Sequence, residues 1–389
     1  MSRLFLYTGV FVATVLTATF ASVSFGLSNP NGAAGSGSRS EALTAAGIAP
    51  VPDAGAPTRA VTPSTAPAAA RAAQKAAVKA EPAAKQPADM TDMPGMAMPP
   101  ASVTDPVRAA TSLAGVRPSA ANPPNRQYHE FQVNCTITAH RSDDPIVYPG
   151  RPGVSHNHTF FGNTTTRASS TLGSLLRGRS SCKAKADLTA YWMPTLYNGS
   201  QVIDPTETIT YYKADVIDYT SVRPFPKGLR FVAGSPKATE REFAAHGYWS
   251  CVSGKDETHI PATCPAGNKL IARLVAPSCW DGVHLDVPDH HSHMAYPVKG
   301  RCTSSHPVAL PMLQFKIPYP VSGNMSKVHL ASGKGFTFHY DFFNAWDPAT
   351  QAALVKACIN GGLQCDAMGY DQHHPQFDPV LTRSYALAK

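Results

Sequence analysis

The first third of the chain contains no cysteine, histidine or tryptophan. All eight cysteines, all fifteen histidines and all four tryptophans follow residue 125. Before that point Ala, Pro, Ser, Thr and Gly dominate, and large apolar side chains are too few to offset the ordering entropy of a fold. Basic runs are also missing. From residue 125 onward, 25 Lys and Arg stand against 20 Asp and Glu, scattered along the chain. With no basic run, zinc-finger spacing or RNA-binding signature, nucleic acid is not an expected partner. The common catalytic templates are absent too: there is no His-Glu-x-x-His, no Gly-x-Ser-x-Gly, no phosphate-binding loop and no dinucleotide fingerprint. The lack of any Cys-x-x-Cys removes a redox dithiol and a thiolate zinc site.

What is present begins with Met1-Ser2-Arg3 and an apolar run from Leu4 to about Phe25. One positive charge before such a run is an export signal, and the run is also long enough to cross a bilayer. Residues 1–27 are therefore expected to be a cleaved signal peptide or a retained membrane anchor. They are the only segment through which the chain would meet a membrane. Residues 28–124 read as a disordered Ala/Pro-rich linker, residues 125–376 as one globular domain, and residues 377–389 as a tail. The expected location is secreted or cell-surface. Within the linker, Met90, Met93, Met96 and Met98 lie close together with no core to fill. Thioethers are soft ligands that select Cu(I), which makes this tract a candidate copper collector, against plain compositional drift as the alternative.

From Gln127 the apolar pattern takes a period of two. Phe131, Val133, Cys135 and Ile137 alternate with more polar neighbours, as in a half-buried strand. Similar runs recur at Leu188–Trp192, Thr208–Val216, Leu229–Val232, Leu270–Val275, Leu313–Ile317 and Phe336–Phe342, separated by Gly, Pro, Asn and Ser. Helical periodicity is confined to Pro348–Cys358, with Asp347 as the N-cap and Gly361-Gly362 as the stop. The expected fold is all-β: a single disulfide-stapled β-sandwich or jelly-roll-like domain with long loops.

In an exported chain, Cys135, Cys182, Cys251, Cys264, Cys279, Cys302, Cys358 and Cys365 are expected to form disulfides. Pairing of sequence neighbours, 135 with 182, 251 with 264, 279 with 302 and 358 with 365, is the choice among 105 possible connectivities.

The histidines concentrate in two regions. In an extended segment His156 and His158 point to one face, so both imidazoles can converge on one ion. The second region, from His284 to His293, offers His284, Asp286, His290 and His293. Imidazole is the commonest protein metal ligand, and a carboxylate either completes its shell or orients it. These six residues form the candidate ligand set for copper or zinc. A further same-face pair, His339 and Asp341, is the candidate acid/base couple.

Several of these stretches carry a family resemblance. The segments Tyr128–Phe131, His140–Val147, His156–Gly162 and Tyr191–Pro194, and later Cys279–Gly282, Asp289–Pro297 and His306–Val308, resemble domain-of-unknown-function family 1996. The resemblance spans most of residues 127–375 and implies one extracellular domain, with no activity attached. The leading expectation is a cell-envelope protein with a histidine-rich metal site. The alternatives are a polysaccharide-active hydrolase or lyase, and a non-catalytic module binding glycan or wall, so cell-wall or extracellular polysaccharide is the expected partner.

Overall fold

The computed structural model describes residues 105–251 and 255–381. The apolar N-terminal segment, the methionine tract with the rest of the linker before residue 105, and residues 382–389 lie outside the described residues. No described helix is long and apolar enough to cross a membrane.

Eleven strands build two principal sheets: β1 (Glu130–Cys135), β2 (Ile137–Arg141), β3 (His158–Gly162), β4 (Ala190–Pro194), β5 (Thr208–Lys213), β6 (Arg230–Ala233), β7 (Gly247–Cys251), β8 (Leu270–Val275), β9 (Met312–Tyr319), β10 (Tyr340–Phe343) and β11 (Gln364–Cys365). One sheet has six strands in the order β7-β8-β9-β5-β1-β11, and the other has five in the order β2-β3-β4-β10-β6. All pairings are antiparallel except that of β1 with β11. The chain changes sheets between β1 and β2 at Thr136, beside the Cys135–Cys182 disulfide. The domain is all-β, as expected.

Alternation along the strands divides the side chains between two cores. Phe161, Tyr191, Met193, Phe231, Tyr340 and Phe342 of the five-stranded sheet meet Phe131, Tyr212, Leu313, Phe315 and Ile317 of the other. Phe315 stacks on Tyr340 at 3.6 Å between ring centroids, which locks the two sheets face to face. The outer face of the six-stranded sheet carries Gln132, Tyr211, Arg273, Gln314 and Lys316, each partly open to water.

The five-stranded sheet differs, because β3, β4 and β10 are buried along their whole length. Its outer face packs Phe160, Trp192, Val232 and Phe343 against Ile146, Leu175 and Leu188 of the connecting segments. The short helix Leu172–Leu176, started by a Thr171–Ser174 capping box, forms part of this cover. Asn163 fastens it by donating from Nδ2 to the carbonyls of Leu175 and Leu188, at 2.9 and 2.8 Å. Gly162 ends β3 at φ +84°, where a Cβ would fall 2.3 Å from the Thr189 carbonyl, so only glycine fits.

The four disulfides join the expected pairs, Cys135–Cys182, Cys251–Cys264, Cys279–Cys302 and Cys358–Cys365. The expected helix forms over Pro348–Leu354 with Asp347 accepting from the Thr350 amide, then widens into a π turn at Val355–Ile359. Three boundaries move. Phe336 and Thr337 lie in a 3-10 turn rather than in the strand expected over Phe336–Phe342. The folded unit also reaches back before residue 125: Val107–Arg108 pairs with His284–Asp286, and the Leu113 amide donates to the Gly282 carbonyl. Main-chain hydrogen bonds make that attachment, and composition does not register them. At the other end Leu381 is buried and its amide donates to the Met368 carbonyl, so the domain extends past residue 376.

Candidate metal centre

A polar side chain on the doubly covered face of the five-stranded sheet loses its water and needs a partner. Five ionisable side chains meet there. His158 enters at the start of β3, and His156 lies two extended residues earlier on the same side. The intervening Asn157 points the other way, where its side chain accepts from the Thr195 hydroxyl at 2.7 Å. Asp341 lies on β10 as the direct cross-strand partner of Trp192 on β4, which in turn pairs with Phe160 on β3. His339 precedes Asp341 by two residues. Asp144 comes from the covering loop, where its Oδ1 accepts from the amides of Ile146 and Val147 at 2.9 and 2.8 Å.

His156, His158 and His339 each offer a donor atom within 4.8 Å of the other two, and so do Asp144, His158 and Asp341. The rings of His156 and His158 lie 4.3 Å apart, and those of His156 and His339 lie 5.1 Å apart and nearly perpendicular. His158 Nδ1 donates to the Asp143 carbonyl at 3.0 Å, and His339 Nδ1 donates to the Thr337 carbonyl at 2.8 Å. A carbonyl only accepts, so each ring carries its proton on Nδ1 and presents Nε2 as a bare lone pair. Backbone acceptors orient metal-binding imidazoles in the same manner.

Several of these donors have no partner. His156 Nε2, His158 Nε2 and both carboxylate oxygens of Asp341 are shielded from water, and no described group hydrogen-bonds them. The Trp192 indole N–H, also shielded, lies near Asp144 and favours its charged form, although it falls short of hydrogen-bond geometry. Burial holds His156 down to about 4 and His339 down to about 3, with neighbouring imidazoles adding to the effect on His339. His158 is lowered well below the usual imidazole range for the same reasons. Burial pushes Asp144 up to about 6 against its two amide donors, and burial together with Asp144 raises Asp341 far more. Positive imidazolium and paired negative carboxylates are thus both disfavoured. A divalent cation bound beside His158 would answer either defect, accepting imidazole lone pairs in one triad or neutralising carboxylate in the other. Each triad, three imidazoles or one imidazole with two carboxylates, suits zinc or copper in donor type.

The second histidine region contributes to a different network. Asp286 is fully buried and accepts from Arg230 Nε at 2.6 Å, His290 Nδ1 at 2.8 Å and the Val287 amide at 2.9 Å. His293 Nε2 donates to the Arg230 carbonyl at 3.0 Å, and the His290 carbonyl accepts from the Val232 amide. This loop therefore lies against the open edge of β6. His284 is half-buried on the periphery, with Nδ1 on Asp281 Oδ2 at 2.6 Å. The ligand set expected from the sequence is divided accordingly. His156 and His158 join His339 and Asp341, while His284, Asp286, His290 and His293 hold structure beside them. His290 stays close enough for its charge to lower the Asp144 carboxyl. Asp144 is absent from the ligand set expected from the sequence, although it lies in the His140–Val147 segment that carries the family resemblance.

A two-sheet, disulfide-stapled β domain with a buried histidine–carboxylate cluster is the class these features define. The family described as Domain of unknown function (DUF1996) matches residues 144–346, a span holding Asp144, all three histidines and Asp341, and the chain belongs to that family. No curated protein and no solved structure matches the chain.

Proposed function

We propose that this is an exported metal-binding protein of the cell envelope, with His156, His158, His339 and Asp341 as ligands and Asp144 as a fifth donor or orienting carboxylate. The observation that carries the reading is that His158 belongs to two donor triads, one with His156 and His339 and one with Asp144 and Asp341, and that His156 Nε2, His158 Nε2 and both Asp341 carboxylate oxygens are water-shielded with no hydrogen-bond partner among the described residues. Leaving such groups unanswered costs about 1–3 kcal/mol each, so a ligand that satisfies them together is favoured. Copper and zinc are the metals proposed. The four disulfides favour an oxidising compartment outside the cytoplasm. In the same reading Met90, Met93, Met96 and Met98 form a weak copper-collecting tract upstream of the domain.

Titration of chelator-stripped protein with Zn(II) and Cu(II), followed by calorimetry, is the test. One equivalent bound by the native protein and lost in His158→Ala supports the reading; uptake of neither metal ends it.

A second reading, a metal-assisted hydrolase or lyase acting on polysaccharide, is favoured by His156. That residue is only partly buried, which leaves the cluster a side from which water or substrate could reach a bound ion. New reducing ends or unsaturated products from a glycan panel, dependent on added metal, would establish it.

A further inference from the structure

On the strand beside His158 lies an arginine whose Nε has no hydrogen-bond partner among the described residues. Arg141, the last residue of β2, is the cross-strand partner of His158, so the two side chains leave the sheet on the same face. That Nε is also shielded from water. It lines a cavity of about 560 Å³ with Asp143, Gly150, Pro152, Arg167, Ala168 and Ser169. A second arginine, Arg167, lines the same space.

The walls of this cavity are fastened. Asp143 Oδ1 accepts from the Gly153 amide and its Oδ2 from the Ala168 amide, both at 3.2 Å. The Gly150 amide donates to the Ala168 carbonyl at 2.8 Å, joining the two wall loops directly. Asp143 thus spends each oxygen on a backbone amide and makes no ion pair with either arginine. The volume lies in the range of small-molecule sites and is larger than a simple inorganic ion needs. A guanidinium fork matches a planar carboxylate in two parallel hydrogen bonds. Pro152 and Ala168 offer an apolar wall, and Ser169 a hydroxyl, to the remainder of such a ligand.

We propose that the Arg141–Arg167 cavity binds the carboxylate of an acidic saccharide, with Arg141 as the principal contact. This site is separate from the metal reading and does not depend on it. The Asp143 main chain links the two, because its carbonyl orients His158 while its carboxylate braces the cavity.

The test is calorimetric titration of the full chain with D-galacturonate, D-galactose and sodium sulfate, each in chelator and again after zinc loading. Arg141→Gln and Arg167→Gln are titrated alongside, with melting temperature as a control for folding. The expected result is galacturonate binding in both metal states, no response to galactose, and at least a tenfold loss of affinity in Arg141→Gln with little change in melting temperature. Sulfate binding as tight as galacturonate overturns the saccharide assignment. Galacturonate binding that is undetectable, or equal in the native protein and both variants, overturns the site. Binding that appears only after zinc loading assigns the carboxylate to the metal instead and also overturns it.

Discussion

The imidazoles of His158 and His339 meet edge to face, 5.9 Å between centroids, on neighbouring parts of one buried sheet face. Each is turned by a backbone carbonyl at Nδ1, so their Nε2 lone pairs are available for one shared ligand. His158→Ala and His339→Ala should each weaken zinc or copper binding by more than the ~10- to 100-fold typical of losing an outer-shell partner. His284→Ala should leave affinity unchanged, because its ring is committed to Asp281 at the periphery. Competition titration against a chelator of known affinity measures all three. Equal affinity across the set would remove the histidine cluster from the binding site.

Asp341 sets the pH dependence of that binding. Burial and the Asp144 charge raise its carboxyl well above the usual range, so the protonated acid is favoured and a metal competes with that proton. The histidines contribute no such proton, since His156 titrates at about 4 and His339 at about 3. Metal uptake should therefore release protons, and apparent affinity should rise with pH. Calorimetry in two buffers of different ionisation enthalpy counts the proton. Asp341→Asn should lower affinity and abolish the release.

Much of this cluster was legible as two local patterns, His156 with His158 and His339 with Asp341, because residues two apart on an extended chain share a face. Their union was not legible. It depends on β3 and β10 flanking the same strand, β4, a pairing between distant segments that no local periodicity encodes. The His284–His293 stretch looked the stronger partner because its histidines are dense, but density along the chain is not convergence in space. There the imidazoles and Asp286 serve Arg230, the β6 edge and the loop's own turns. The disulfides were easier to read, since three of the four close short loops.

Separation of the two histidine networks has its own consequence. Arg230→Met removes the guanidinium from the fully buried Asp286 carboxylate and leaves it only His290 and one amide. Breaking a buried pair on one side costs about 3–5 kcal/mol. At about 2–4 °C per kcal/mol for a domain of this size, melting should fall by roughly 10 °C. Metal stoichiometry at low temperature should remain that of the native protein. A variant that melts normally, or one that loses its metal while still folded, would contradict this division of roles.

The sandwich core contains one more buried acid, and it should make stability fall as pH rises toward neutrality. Asp187 is fully buried; its Oδ1 accepts from the Thr189 amide at 3.0 Å and its Oδ2 from the Tyr191 hydroxyl at 2.8 Å. Tyr191 and Tyr212 share a hydrogen bond of 2.6 Å, and the Trp346 indole donates to Tyr212 at 3.1 Å. Burial pushes the Asp187 carboxyl up to about 7 from 3.8, against the hydrogen bonds from Thr189 and Tyr191 that favour its charged form. The folded state therefore holds a proton that the unfolded state has already lost. Between pH 4 and 7 the unfolded chain binds fewer protons at this site, so its contribution to stability is complete below about pH 4 and is lost progressively up to about 7. The histidine cluster slopes the other way, because its lowered imidazoles stabilise the fold above the unfolded value of 6.5 and lose that contribution as pH falls. Asp187→Asn isolates the carboxyl, since the amide keeps a neutral acceptor for Thr189 without a titrating proton. Denaturant unfolding of metal-free protein from pH 4 to 8 should show native stability declining relative to that of Asp187→Asn by a few kcal/mol across the window. A constant difference between the two would mean that the Asp187 carboxyl titrates in its ordinary range despite its burial.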